Sequence, residues 1–185
     1  TYFCAMKWIP NALTLGNAAC GMAAIWFMMF QNLEYATGAL VLAFVFDALD
    51  GWAARKLGVS GELGVQLDSL ADAITFGVVP GFMWMQLAMW MNTGYSWPAL
   101  PVLGWAVTLA SVYRLARFNS VMKDYPGFMG MPTPANTAFV LGLMYAPDAE
   151  LIPLHPALFL AALAWSVYSL NARFEVASLK ECPIS

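Results

Sequence analysis

The chain has 185 residues, 61% of them hydrophobic and only 10% charged, with a net charge of -3 and a mean hydropathy of +0.66. Soluble domains carry about 25% charged residues and about 45–50% apolar ones, so an ordinary water-soluble globule is excluded. At roughly 20 residues per membrane-crossing helix the apolar content is enough for five or six spans, and one intramembrane domain over residues 1–185 is expected. Nothing calls for a nucleic-acid partner.

The apolar runs at about 12–31, 35–56, 66–91, 99–118, 133–147 and 154–171 are separated by short segments holding Gly, Pro, Asn, Asp or Glu. They predict an all-α polytopic membrane protein with six transmembrane helices. Lys7 precedes the first run and Arg55 and Lys56 close the second. Arg114, Arg117 and Lys123 close the fourth, and Arg173 and Lys180 follow the sixth. All eight basic residues therefore fall on one side, while Glu34, Asp148 and Glu150 lie on the other. By the positive-inside rule both termini are cytoplasmic, which agrees with an even number of spans. The apolar stretch after Pro10 follows Lys7 without a small-residue cleavage site, so no cleavable signal is expected.

Trp8, Trp90, Tyr95 and Trp97 fall near span ends, where amphipathic rings anchor at the interface. Gly77 and Gly81 form a small-x-x-x-small pair, read as packing within the subunit in preference to a dimer contact. Cys4, Cys20 and Cys182 are odd in number and scattered, so free thiols are expected. A histidine metal site or a Ser-His-Asp triad would rest on His155 alone.

Asp47, Asp50, Asp68 and Asp72 lie inside the second and third runs, where an uncompensated charge costs at least ~2.5 kcal/mol. Asp47 and Asp50 are spaced i, i+3 and Asp68 and Asp72 i, i+4, so each pair shares one helix face. A hairpin turning at Gly58–Gly61 sets Asp50 level with Asp68 and Asp47 level with Asp72. At a rise of about 1.5 Å per residue, Asp47 lies roughly 12 Å from Arg55, within reach of the cytoplasm. Four carboxylates at such range need cations to stay ionised together. Salt bridges to Arg55, Arg114 and Arg117, or protonation, are the alternative, but three arginines do not balance four buried acids and Glu62. An all-oxygen site without His or Cys favours two divalent cations, Mg²⁺ or Mn²⁺ with Ca²⁺ also compatible, over Zn²⁺. A metal pair about 3.5–4 Å apart is the usual device for in-line substitution at phosphorus.

The spacing Asp47-x-x-Asp50-Gly51-x-x-Ala54-Arg55, eight residues, then Gly64-x-x-x-Asp68-x-x-x-Asp72 resembles, at every position, the signature of the CDP-alcohol phosphotransferase family. The resemblance implies a six-helix membrane enzyme, expected as a homodimer. Its metal ligands would be Asp47, Asp50, Asp68 and Asp72, and the metals would bind the diphosphate of a CDP-linked substrate. Gly51, Ala54 and Gly64 are small enough for a nucleotide to approach the backbone, and with Arg55 they form the implied CDP site. Asn11, Thr14 and Asn17 share a stripe on the first span and are candidates to face cytosine, with helix capping the other reading of Asn11.

Arg114-Leu-Ala-Arg117-Phe118-Asn119 and the segment Gly127 to Asn136 resemble the serine-using, phosphatidylserine-forming bacterial branch of that family. So do Pro10 to Asn17 and Thr75 to Pro80. The likeness covers about residues 8–136. It implies transfer of a phosphatidyl group from CDP-diacylglycerol to L-serine, giving phosphatidylserine and CMP, at the cytoplasmic face of the inner membrane among membrane lipids. Asp72 is then the candidate base for the serine hydroxyl proton. Arg114 and Arg117 present guanidinium forks suited to a lipid phosphate or the serine carboxylate, with snorkelling to headgroups the other reading. Asn119 and Lys123 are further candidates for the serine pocket. The competing acceptors are glycerol 3-phosphate, as in phosphatidylglycerophosphate synthesis, and an inositol phosphate. A phosphorylated acceptor needs additional cations, and the inner loops hold few. A divalent-cation transporter is the alternative of another class, but a transport route would place polar groups at several depths, and the last two spans carry no charge in their cores.

Overall fold

A computed structural model describes residues 8–59, 61–90, 101–121, 128–146, 156–172 and 175–176. Helix α1 (Trp8–Met29) is joined to α2 (Leu33–Leu57) by a tight turn. Gln31 takes the left-handed conformation there, at φ 58°. The Asn32 N–H returns to Phe27 O (3.0 Å) and the Gln31 N–H to Met28 O (3.0 Å), closing the last carbonyls of α1 as a Schellman turn does. Asn32 then caps α2, its side chain accepting from the Tyr35 N–H at 3.4 Å. At the other end of α2 the same device recurs at Gly58, φ 61°, whose N–H reaches the Ala54 and Arg55 carbonyls. The chain turns as expected between Gly58 and Gly61, with Gly61 extended before α3 (Glu62–Asp72).

Beyond Asp72 the third run departs from a plain helix. It opens into a π-helix over Ala73–Val78 and resumes as α4 (Val79–Trp90). A 3₁₀ turn (Pro101–Leu103) leads into α5 (Gly104–Val121), followed by β1 (Phe128–Met129), α6 (Thr133–Tyr145), α7 (Pro156–Asn171) and β2 (Glu175–Val176). The one addition to an all-helical expectation is the two-residue antiparallel pairing of β1 with β2. Beside it Gly130, φ 73°, lies against the end of α7, where a Cβ would meet the Ser169, Leu170 and Ala172 carbonyls at 3.0 Å. The Met131 N–H donates to Ser169 O at 2.8 Å.

Helices thus occupy each of the six expected segments. Three of them, Trp8–Met29, Leu33–Leu57 and Glu62–Trp90, are long and apolar enough to cross a membrane, and Ala157–Asn171 is a shorter apolar helix. The core joins Met28, Leu40, Val79, Met83, Trp84, Leu87, Val107, Val140, Met144 and Phe159. The outer faces are equally apolar: Met22, Trp26, Leu42, Trp52, Trp105 and Leu109 are all exposed. A soluble protein does not expose continuous apolar surface on this scale. In lipid that surface is solvated, and the polar residues turn inward instead.

Gly77 and Gly81 pack within the chain. A Cβ at Gly77 would stand 3.4 Å from Ser111, and one at Gly81 would run into the Thr108 hydroxyl and meet Gly104 O at 2.9 Å. Trp90 does more than anchor, since its indole N–H donates to Gln31 Oε1 at 3.0 Å. Lys123, Tyr95, Trp97, His155, Cys4 and Cys182 lie outside the described residues.

Candidate metal and nucleotide site

The turn between α2 and α3 lets the four aspartates approach one another. Asp47, Asp50 and Asp68 each offer a carboxylate oxygen, and the three oxygens lie within 4.8 Å of one another. Asp72 lies beside Asp47, close enough for the two carboxyl groups to interact. Two carboxylates at that separation need a proton or a cation between them.

Helix α1 supplies neutral donors to the cluster. The Thr14 hydroxyl lies 2.7 Å from Asp50 Oδ2 and 3.0 Å from its own helix carbonyl at Pro10. The Asn17 amide donates to Asp72 Oδ1 at 3.4 Å. Asn17 is fully buried, and its Oδ1 has no partner. The stripe Asn11, Thr14, Asn17 therefore divides. Thr14 and Asn17 turn to the aspartates, while Asn11 faces α3, its Oδ1 3.6 Å from where a Gly64 Cβ would stand. Gly51 is overlain by the Arg55 guanidinium, with Nη1 3.3 Å from a Cβ built there. Ala54 is half-buried on the same helix.

Helix α5 closes the other side. Arg114 interacts electrostatically with Asp72, and its Nε is buried without a hydrogen-bond partner. Arg117, one turn on, is half-buried near the end of α5. The Asn119 amide donates to Ser69 Oγ at 2.6 Å, and that hydroxyl donates to Val65 O at 3.0 Å. Asn119 thereby ties α5 to the residue following Asp68. Ser69 was not identifiable from the sequence, because it occupies an unspecified position of the signature. Thr108 and Ser111 were open to recognition as the continuation of Arg114 at i−3 and i−6, a polar stripe on one face of an otherwise apolar helix.

The donor set suits a hard divalent cation. Its oxygens come from carboxylates converging on one point, and the unpartnered Asn17 oxygen belongs to the amide that reaches Asp72. Among the described residues Arg114 is the cation that interacts with Asp72, and three arginines in the chain's helices cannot neutralise four carboxylates one for one. Such an arrangement can clamp a diphosphate through bound cations and accept a proton at the carboxylate nearest the arginine.

Comparison with known proteins agrees with this chemistry. The model of the CDP-alcohol phosphatidyltransferase family matches residues 7–169. The chain is 35% identical over 130 residues to a Bacillus subtilis CDP-diacylglycerol–serine O-phosphatidyltransferase, covering 70% of this chain and 71% of that protein. It is 33% identical over 147 residues to the protein of that name in Mycobacterium tuberculosis, covering 74% of this chain and 48% of the relative, so it spans about half the mycobacterial protein. It is also 33% identical over 132 residues to an archaetidylserine synthase of Methanothermobacter thermautotrophicus, covering 68% and 53%.

Proposed function

We propose that this chain, which belongs to the CDP-alcohol phosphatidyltransferase family, transfers the phosphatidyl group of CDP-diacylglycerol to the hydroxyl of L-serine, forming phosphatidylserine and CMP. The observation that carries the reading is the convergence of Asp47, Asp50 and Asp68 within 4.8 Å, with Asp72 beside them. The names of the relatives support serine as the acceptor.

In this reading residues 1–185 form one membrane domain of six spans with both termini cytoplasmic, working as a homodimer in the cytoplasmic membrane. The basic residues of α2 and α5 mark the cytoplasmic side, and the aspartates lie within that leaflet, where lipid tails and water-soluble reactants can meet. Asp47, Asp50, Asp68 and Asp72 would hold two divalent cations, Mg²⁺ or Mn²⁺ with Ca²⁺ also compatible. Those ions would supply charge neutralisation on the diphosphate and on the departing CMP oxygen. Asn11, Gly51, Ala54, Arg55 and Gly64 border the space assigned to the nucleotide, and Thr14 and Asn17 orient Asp50 and Asp72.

Asp72 stands outside the tightest triad and interacts electrostatically with Arg114, which supports it as the base on the acceptor side. The serine oxygen attacks phosphorus, the bond from phosphorus to the CMP oxygen breaks, and the serine proton passes to Asp72. Arg114 and Arg117 would hold the lipid phosphate or the serine carboxylate, with Asn119 and Lys123 completing the serine side.

The test is CMP release in detergent micelles from CDP-diacylglycerol with a panel of alcohols. L-Serine is expected to give the highest rate and glycerol 3-phosphate a poor one. A higher rate with glycerol 3-phosphate would make the chain a phosphatidylglycerophosphate synthase instead.

A further inference from the structure

The helix bearing Asp68 and Asp72 changes register directly after Asp72. Over Ala73–Val78 it is a π-helix, and the Val79 N–H reaches back five residues to Ile74 O. In an unbroken α-helix Asp68, Asp72, Val79 and Met83 would fall on one stripe, because separations of four, seven and four residues return to nearly the same face. A π insertion adds one residue and rotates the downstream helix by about 100°. Beyond it Val79 and Met83 lie in the apolar core, and before it the two carboxylates turn to the cluster.

Pro80, directly after the π segment, has no N–H to return to the preceding turn. Inside a membrane backbone polar groups must find partners within the protein. Two hydroxyls from other helices reach carbonyls of this segment. Thr108 of α5 donates to Gly77 O at 3.2 Å. Thr137 of α6 lies 3.5 Å from Phe76 O and 3.0 Å from Thr133 O. Thr108 reaches its carbonyl because residue 81 is glycine; a Cβ there would run into the Thr108 hydroxyl. On the opposite side the Thr75 hydroxyl donates to Asn17 O at 3.2 Å, and the amide of that same Asn17 holds Asp72.

We infer that Thr108 is a positioning residue for Asp72: its hydroxyl holds the π register at Gly77, and that register aims the carboxylate at the cluster, with Thr137 assisting at Phe76. This rests on the reading of the four aspartates as metal ligands.

The experiment titrates Mn²⁺ alone into the purified full chain in detergent, following free Mn²⁺ by electron paramagnetic resonance, and measures CMP release alongside. Thr108→Val is expected to weaken Mn²⁺ binding and lower kcat each by about tenfold, the low end for groups that orient metal ligands. The KM for CDP-diacylglycerol should be unchanged. Thr108→Ser, which restores the donor, should stay within about twofold of wild type, and Thr137→Val should shift Mn²⁺ affinity in the same direction by less. In an Asp72→Asn background Thr108→Val should add nothing further, because the two act through one group. Wild-type Mn²⁺ affinity in Thr108→Val, equal impairment in Thr108→Ser, or multiplying effects in the double variant would each overturn the inference. Should Thr108→Val not fold, Thr137→Val decides: weakened Mn²⁺ binding supports the inference and unchanged binding overturns it. A wild-type chain that binds no Mn²⁺ refutes the metal reading itself, a result distinct from a wild type that binds and a Thr108→Val that binds equally well.

Discussion

Replacing Asp50 by asparagine removes one charge from the candidate site while leaving its shape almost unchanged. Asp50 is 5% exposed and takes the Thr14 hydroxyl at 2.7 Å. Asparagine keeps an oxygen for that bond, so the packing of α1 on α2 is retained. The oxygens of Asp47, Asp50 and Asp68 lie within 4.8 Å of one another, and a cation held among them is nearer to each than that. At an effective dielectric of about 20, one unit charge at 4.8 Å contributes about 3.5 kcal/mol. Losing it corresponds to between two and three orders of magnitude in kcat/KM, and a divalent ion feels the loss twice over. The assay is CMP release in detergent at saturating Mg²⁺, with the melting temperature of the variant as a check on folding. We expect at least a hundredfold loss at an unchanged melting temperature, and the same for Asp68→Asn. Retention of more than a tenth of wild-type kcat/KM by either variant would show that these carboxylates do not hold the cations.

Chelation should abolish turnover and added Mg²⁺ or Mn²⁺ should restore it; full activity in excess EDTA would end the two-cation reading. Arg114→Ala should raise the KM for CDP-diacylglycerol or for serine by about tenfold or more, as loss of a charged hydrogen bond of ~1.5–3 kcal/mol implies, and unchanged values for both would assign Arg114 to headgroup contact. Gly81→Ala should destabilise the chain by about 1–3 kcal/mol through overpacking, read as a lower melting temperature in detergent, because its methyl would meet Thr108 and Gly104 O at the crossing of α4 and α5. An unchanged melting temperature would mean that these helices cross at a greater distance.

Much of the site was legible from spacing because a hairpin has few degrees of freedom. Once Gly58 and Gly61 mark the turn, the depth of every residue on both arms comes from a constant rise, and Asp47, Asp50 and Asp68 do converge. The side of α1 that would face them was legible too, since Asn11, Thr14 and Asn17 are polar residues in an apolar run. What they would touch was not. Cytosine and carboxylate both accept hydrogen bonds from an amide or a hydroxyl, so the residue types alone favour neither, and only the packing of α1 shows Thr14 and Asn17 turned to Asp50 and Asp72. The π-helix was hidden for a different reason. Residues Ala73 to Val78 have no composition that separates π from α, and the hydroxyls that meet its carbonyls come from Thr108 and Thr137, 31 and 61 residues away in sequence. Pro80 was the local hint that a backbone bond is missing there.

The way the cluster is compensated bears on what it can bind. Buried carboxylates in an apolar setting are usually neutralised by arginine or lysine, and three arginines were available on α2 and α5. Had all three paired with the aspartates, the site would be electrically satisfied and would have little affinity left for a divalent ion. Instead Arg55 lies over Gly51, Thr14 and Asn17 contribute neutral donors, and among the described residues Arg114 interacts with Asp72. Neutral donors orient a carboxylate without cancelling its charge. Charge left uncancelled on Asp47, Asp50 and Asp68 is what the proposed cations would require, and Arg114 is then free to serve a negative group of the proposed acceptor.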